Sequence, residues 1–281
     1  TLTVGDRALF DGGAAPTLAA GATLALPGQA AWGLGQGRLT IDGTLSTAGV
    51  GIFVDQGSEA GGRRTLGGAG TFDNTGTYLR TGGGTTVAQG FVNRGVLDLR
   101  EGSFEAGAGV VSSGLVSLAA GTQLIVAGDM QLRGAVVGDG QVTVAGGRLT
   151  LGPLAAVDSP VLLAAASGSL GSEATATVAR LRFADGHLAG PGTTRVGEAL
   201  TIEGSALKRI DAGATLRVEG GAEWAAGAGS VLNAGRLEVG PAATFVARAG
   251  LPSTAAFLGY TGGGSVLNQG TWVLDSAGSV F

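Results

Sequence analysis

Cysteine is absent from the 281-residue chain. This excludes a disulfide scaffold and any cysteine-based zinc or redox site. Only one histidine is present, His187, so a His-rich metal site is excluded as well. Proline is scarce, at 7 residues, and glycine does not recur at every third position, which rules out a collagen helix. Charged residues make up 14% of the chain, against about 25% in an average globular protein. Lys208 is the sole lysine, and the arginines form no basic stripe, so nucleic-acid binding is not expected. No apolar run approaches the roughly 18 residues of a membrane-spanning helix. Disorder is excluded by a mean hydropathy of +0.35 and a net charge of only −4. Thr1 opens the chain without a charged leader and apolar core, so a mature product or a piece of a longer protein is expected.

Glycine is abundant instead, with 56 residues. Each glycine inside a helix costs about 1 kcal/mol relative to alanine, and apart from 153–167 no 15-residue window escapes one. What recurs is a short strand launched from glycine, Gly-x-Φ-x-Φ, where Φ is apolar. Gly37-Arg38-Leu39-Thr40-Ile41, Gly95-Val96-Leu97-Asp98-Leu99 and Gly235-Arg236-Leu237-Glu238-Val239 are three of at least seven copies. A period of two places one side of each strand inward and the other outward.

All four asparagines sit in Asn-x-Gly: Asn74, Asn93, Asn233 and Asn268. A large apolar residue stands two positions before each. Asparagine and glycine both tolerate positive φ, so these positions are expected to be structural corners, together with Gly76, Gly95 and Gly114. Gly76, Gly95 and Gly114 are 19 residues apart, and so are Phe72, Phe91 and Val110. So short a repeat cannot bury its own apolar side and must stack on its neighbours. Phe72, Phe91 and Val110 should then form an inward core ladder at about 4.8 Å spacing.

The fold class expected is therefore all-β: a right-handed parallel β-helix, or β-solenoid, of roughly 19–22 residues per coil and about 14 coils. The hand follows from the usual crossover preference. A single β-helix over residues 1–281 is expected, with loop excursions at 55–64, 155–178 and 250–264, where the strand rhythm breaks.

Several segments carry a family likeness: Gly70-Thr71-Phe72-Asp73-Asn74-Thr75-Gly76-Thr77, Phe91-Val92-Asn93-Arg94-Gly95, Leu188-Ala189-Gly190-Pro191-Gly192-Thr193-Thr194, Gly213-Ala214-Thr215-Leu216 and Val266-Leu267-Asn268-Gln269-Gly270-Thr271. In this pattern the chain resembles the β-helical passenger or repeat regions of bacterial secreted proteins, the autotransporters and filamentous-haemagglutinin-like exoproteins. The resemblance implies a secreted or cell-surface scaffold for adhesion, aggregation, filament or matrix building. Implied partners are copies of the chain stacked end to end, other surface or matrix components, and glycans.

Chemistry is sparse. His187, in Asp185-Gly186-His187, reads as an exposed turn residue. The carboxylate pairs Glu101 with Glu105, Asp129 with Asp139, and Glu198 with Glu203 form no column at the 19-residue spacing, and no arginine recurs beside them in register. They read as solvated outward positions. A polysaccharide lyase or glycan-binding depolymerase remains the alternative on fold grounds, and a cleft lined by in-register acidic and arginine residues would favour it. The calcium-repeat pattern fails at 67–73, where Phe72 stands in place of an aspartate. No phosphate-cradling loop surrounds Lys208. Hence no enzyme activity, catalytic residue, cofactor or metal is expected. Phe72, Phe91, Phe104 and Trp272 read as core. Trp32, Phe257 and Tyr260 lie outside clear strands and are the expected exposed recognition residues.

Overall fold

The computed structural model describes residues 1–11, 15–34, 37–58, 61–248 and 263–275. Among the described residues the chain is all-β without a helix, and its parallel strands stack as a β-solenoid of about 11 turns, a parallel β-helix. It divides into two compact units of this one architecture, Thr1–Val142 and Thr143–Phe281. No shift in composition marks the boundary. The turns are fewer than 14 because the coils vary in length. One coil separates Thr47 from Asn74, 27 residues on, and the next separates Asn74 from Asn93, 19 residues on.

In the first unit a coil has three strands, such as Thr71–Asn74, Thr77–Arg80 and Thr85–Ala88, before Phe91–Asn93 opens the next. Alternate residues point inward. Phe72 lies in register with Phe91, Tyr78 with Phe53 and Leu97, and Thr86 with Phe104. The Phe72 and Phe91 rings meet edge-on at 5.2 Å. Val110 is buried in the following coil and pairs with Met130. Phe53, Tyr78 and Phe104 extend this ladder sideways, with ring centroids 5.1–5.8 Å apart. Such offset and edge-on pairs add about 0.5–1.5 kcal/mol each beyond simple burial.

The corners work differently from expectation. No described non-glycine residue has positive φ, and Gly76, Gly95 and Gly114 are not in the left-handed region either. Glycine is required there by close approach. A Cβ on Gly95 would stand 2.0 Å from the carbonyl oxygen of Gly76, and one on Gly114 would stand 2.0 Å from that of Gly95. The corner glycines thus stack on one another, backbone against backbone. Asn74 and Asn93 close their strands from inside. Asn74 accepts from Thr47 Oγ1 at 2.7 Å and donates to Asn93 Oδ1 at 2.8 Å, and Asn93 donates to Ser112 Oγ at 3.0 Å. Each asparagine also donates across the corner to the carbonyl of the next coil, Val96 or Leu115. Buried amides need such partners, and a stacked amide column supplies them coil by coil.

The second unit opens its coils with Arg148–Leu151, Ser169–Ser172, His187–Ala189, Lys208–Ile210 and Val231–Asn233. Here two successive strands fuse into the long strands Thr175–Phe183 and Thr193–Ile202, whose pairing shifts register between Val178 and Arg180. A bulge of this kind turns the chain without a glycine corner. Asn233 belongs to the inward asparagine class and donates to the Ser265 carbonyl at 2.9 Å. Asn268 does not belong to it. It ends a strand paired with Arg236–Val239, is exposed, and accepts a local hydrogen bond from the Gly270 amide.

At 55–64, Asp55 ends the strand Ile52–Asp55 and Arg63 opens Arg63–Leu66, with no strand among the described residues between them. The excursion expected at 155–178 is corrected: three short strands there are followed by the start of Thr175–Phe183. That segment is small-residue in composition but still supplies coil strands. Of the stretch 250–264, only Gly263 and Gly264 are described, and Phe257 and Tyr260 lie outside the described residues.

Candidate functional site

The most polar buried cluster lies in the first unit, in the segment that composition marks as a loop. Asp55 sits at the second corner of its coil with its side chain inward and 0% exposed. One carboxylate oxygen accepts from Tyr78 Oη at 2.7 Å, Arg80 Nη1 at 2.7 Å and Thr86 Oγ1 at 2.6 Å. The other accepts from the Gly57 amide at 3.0 Å and lies 3.3 Å from Arg64 Nη1. Arg80 reaches on to the carbonyls of Gly83 and Gly84. Arg64 donates to the carbonyls of Gly57 and Gly33, and its guanidinium stacks 3.4 Å above the Trp32 ring. Burial lowers the Arg64 pKa despite Asp55 nearby. Burial, helped by the Asp55 charge, raises the Tyr78 phenol well above its ordinary value. With two buried guanidinia on one carboxylate, the cluster is a fixed internal staple (the Trp32, Arg64 and Arg80 N–H groups at Nε1, Nε and Nε have no acceptor among the described residues).

Trp32 is therefore not an exposed recognition residue. It ends the strand Gln29–Trp32 and is fully buried. Its strand follows Gly28 in the Gly-x-Φ-x-Φ frame, with the small Ala30 and Trp32 at the inward positions. The in-register pairing of Trp32 with Asp55 one coil on is the signal that composition alone does not carry. Tyr78, inward by its frame, keeps its hydroxyl inside as well.

Outward carboxylates are largely paired. Glu105 is held by Arg63 at 2.5 Å, Glu203 by Arg182 at 2.6 Å, and Glu198 lies 3.7 Å from Arg180. In the second unit two arginines stand in register, away from the three carboxylate pairs singled out in the sequence. Arg195 pairs with Arg217, and Arg217 with Glu238. Their spacings of 22 and 21 residues differ from the 19-residue frame of the first unit and so escaped it. Glu219 lies between Arg195 and Arg217 and contacts both, and Glu238 is held by Arg236 at 2.6 Å. This is a lattice of ion pairs on an open strand surface.

His187 is likewise not a turn residue. It opens the strand His187–Ala189, is half-buried, and its Nδ1 lies 2.6 Å from Asp211 Oδ2. Asp211 follows one coil and two residues later, which the variable coil length concealed. A recess of about 380 Å³ opens beside the pair, lined by Asp185, His187, Leu207 and Arg209 among others. Lys208, inward and fully buried, donates to the carbonyls of Gly204 and Ala206 at 2.8 Å each. Burial lowers its pKa, with Asp185 and Glu203 opposing.

Among the described residues no three His, Asp or Glu side chains converge as a metal site, and no helix is long and apolar enough to cross a membrane. No protein-family model, curated protein or solved structure matches this chain.

Proposed function

We propose that this chain is a structural and adhesive β-helical scaffold of the bacterial cell surface or extracellular matrix, working by assembly with copies of itself. The observation that carries this is one outward face of the first unit. Its second strands present two adjacent columns. One runs Arg7, Gln29, Ile52, Thr77, Val96 and Leu115, and the other Leu9, Ala31, Val54 and Leu79 before it turns polar at Asp98 and Ser117. Leu9 is 67% exposed, Ile52 38% and Leu115 37%. Apolar side chains in a regular exposed array mark an interaction surface. Their ridges recur at the strand spacing of about 4.8 Å. A partner that interdigitates along the whole face needs that same repeat, and a second copy supplies it. Sheets packed in this way lie about 10 Å apart. The interior supports the same reading. Inward side chains are committed to stacking on the next coil, which suits a stiff spacer better than a mobile active site.

Negative-stain electron microscopy across a concentration series, beside sedimentation, tests the proposal. Filaments or side-by-side pairs should form as concentration rises, and the double variant I52K/L79K should shift association to at least ten-fold higher concentration. Isolated particles at every concentration, or association unchanged in the double variant, would overturn it.

A further inference from the structure

The recess beside His187 belongs to the second unit and plays no part in the assembly face. Its charges are unevenly matched. Asp211 is taken up by His187 Nδ1. Asp185 accepts from the Gly186 amide at 2.7 Å and lies close enough to Lys208 to oppose the lowering of its pKa. The Lys208 ammonium donates to two carbonyls beneath the recess. Arg209 lies in register with His187 on the adjacent coil. Its guanidinium has no hydrogen-bond or ion-pair partner among the described residues, whereas most outward arginines of this unit hold a glutamate. The next charged residue on this outward column is Arg148, two coils back, with the neutral Ser169 between it and His187. With Nδ1 fixed on Asp211, the free ring nitrogen is Nε2. An unpartnered guanidinium and an imidazole thus stand on neighbouring coils at the rim of one hollow. Leu207, 48% exposed, and two alanines give the same hollow an apolar wall.

We infer that this recess binds a small hydroxylated organic carboxylate, a sugar acid being the class that fits. The carboxylate is held by Arg209, and the ligand body lies against Leu207. Arg209 offers the fork geometry that carboxylates prefer. The apolar wall is wasted on an inorganic ion and suits the C–H face of an organic one, and Asp185 is placed to accept from a hydroxyl. A recess of this volume lies within the range of small-molecule sites.

Because His187 is the only histidine, its ring proton gives one isolated NMR resonance, which reports on the recess directly. Glucuronate should move this resonance saturably, with at least ten-fold weaker binding in R209A. An unchanged His187 resonance in ligand-free R209A shows that the variant is folded. R148A should bind as the wild type does. Three results would each overturn the inference: no movement with glucuronate, equal movement with neutral glucose, or equal movement with sulfate. None of them bears on assembly through the apolar face of the first unit.

Discussion

The two units build the same coil from different materials. In the first, the interior carries six buried aromatic rings and a buried carboxylate shared by two arginines, while one outward face is rich in apolar residues. In the second, the interior is mainly aliphatic around the single buried ammonium of Lys208. The corresponding outward strands carry Arg195, Arg217, Glu219, Arg236 and Glu238 in mutual contact. Both units display ion pairs outward, but only the first closes an ion-paired cluster inside its coils. A parallel solenoid leaves that choice open, because backbone pairing and corner geometry hold the coil and the side chains of each column need only agree with one another.

The sharpest way to break this contrast is Asp55→Ala. It strands two buried guanidinia, and removing one partner of a buried ion pair typically costs about 3–5 kcal/mol. Chemical denaturation should show a loss of that size, and hydrogen exchange should localise it to the coils from Gln29 to Ala106. A loss below about 1 kcal/mol would mean that water reaches the cluster.

Gly95→Ala comes next. Its Cβ would sit 2.0 Å from a backbone oxygen that has no side chain to move aside, so overpacking should cost about 1–3 kcal/mol or more. Gly197→Ala, in the second unit, meets nothing within 4 Å and should stay within about 0.5 kcal/mol of the wild type. Equal effects in the two variants would show that stacked corner glycines are not what holds the first unit's register.

The parts of this architecture that were legible in the sequence are those that repeat. Strand alternation, the coil and the Phe72–Phe91 ladder follow from spacing alone, since a stacked coil converts a 19-residue period into contact. The Asn-x-Gly signal located the corners at Asn74 and Asn93 but not their mechanism, because an inward amide ladder and a positive-φ turn select the same two residue types. Asn268 shows the limit, since the same three letters there make only a local turn. The buried cluster was illegible because its members occur once each. Asp55, Arg64 and Arg80 look like surface residues until register brings them inside. The arginine lattice and the His187–Asp211 pair were missed for a related reason, as coils of 21 and 22 residues carry them past a 19-residue frame.

Alkaline pH should separate the units by sign. The Tyr78 phenol is raised above its ordinary value of about 10, so above that pH the unfolded chain loses a proton that the folded chain keeps. The stability Tyr78 confers is complete below about pH 10 and falls as pH rises beyond it. Lys208 is lowered below its ordinary value of about 10.5. The unfolded chain then holds the extra proton, and stability rises as pH climbs towards 10.5. Denaturation at pH 9 and pH 11 should show Tyr78→Phe gaining on the wild type over that interval. A comparison at pH 8 and pH 10 should show Lys208→Met losing ground against it.

The smallest effect is expected at the most heavily charged place. Glu219 contacts both Arg195 and Arg217, yet those arginines are 50% and 39% exposed. Exposed ion pairs contribute about 0–1 kcal/mol, because water and salt screen them and two long side chains must be ordered. Glu219→Gln should therefore shift the denaturation free energy by less than about 1 kcal/mol, and the shift should shrink further in 0.5 M salt. Asp55→Ala, with its charges out of reach of counterions, should be nearly insensitive to the same salt. If instead Glu219→Gln matched Asp55→Ala in size and resisted salt, the lattice would be structural in the way the buried cluster is. The difference between the two units would then lie only in where their charges sit, with no difference in what those charges hold together.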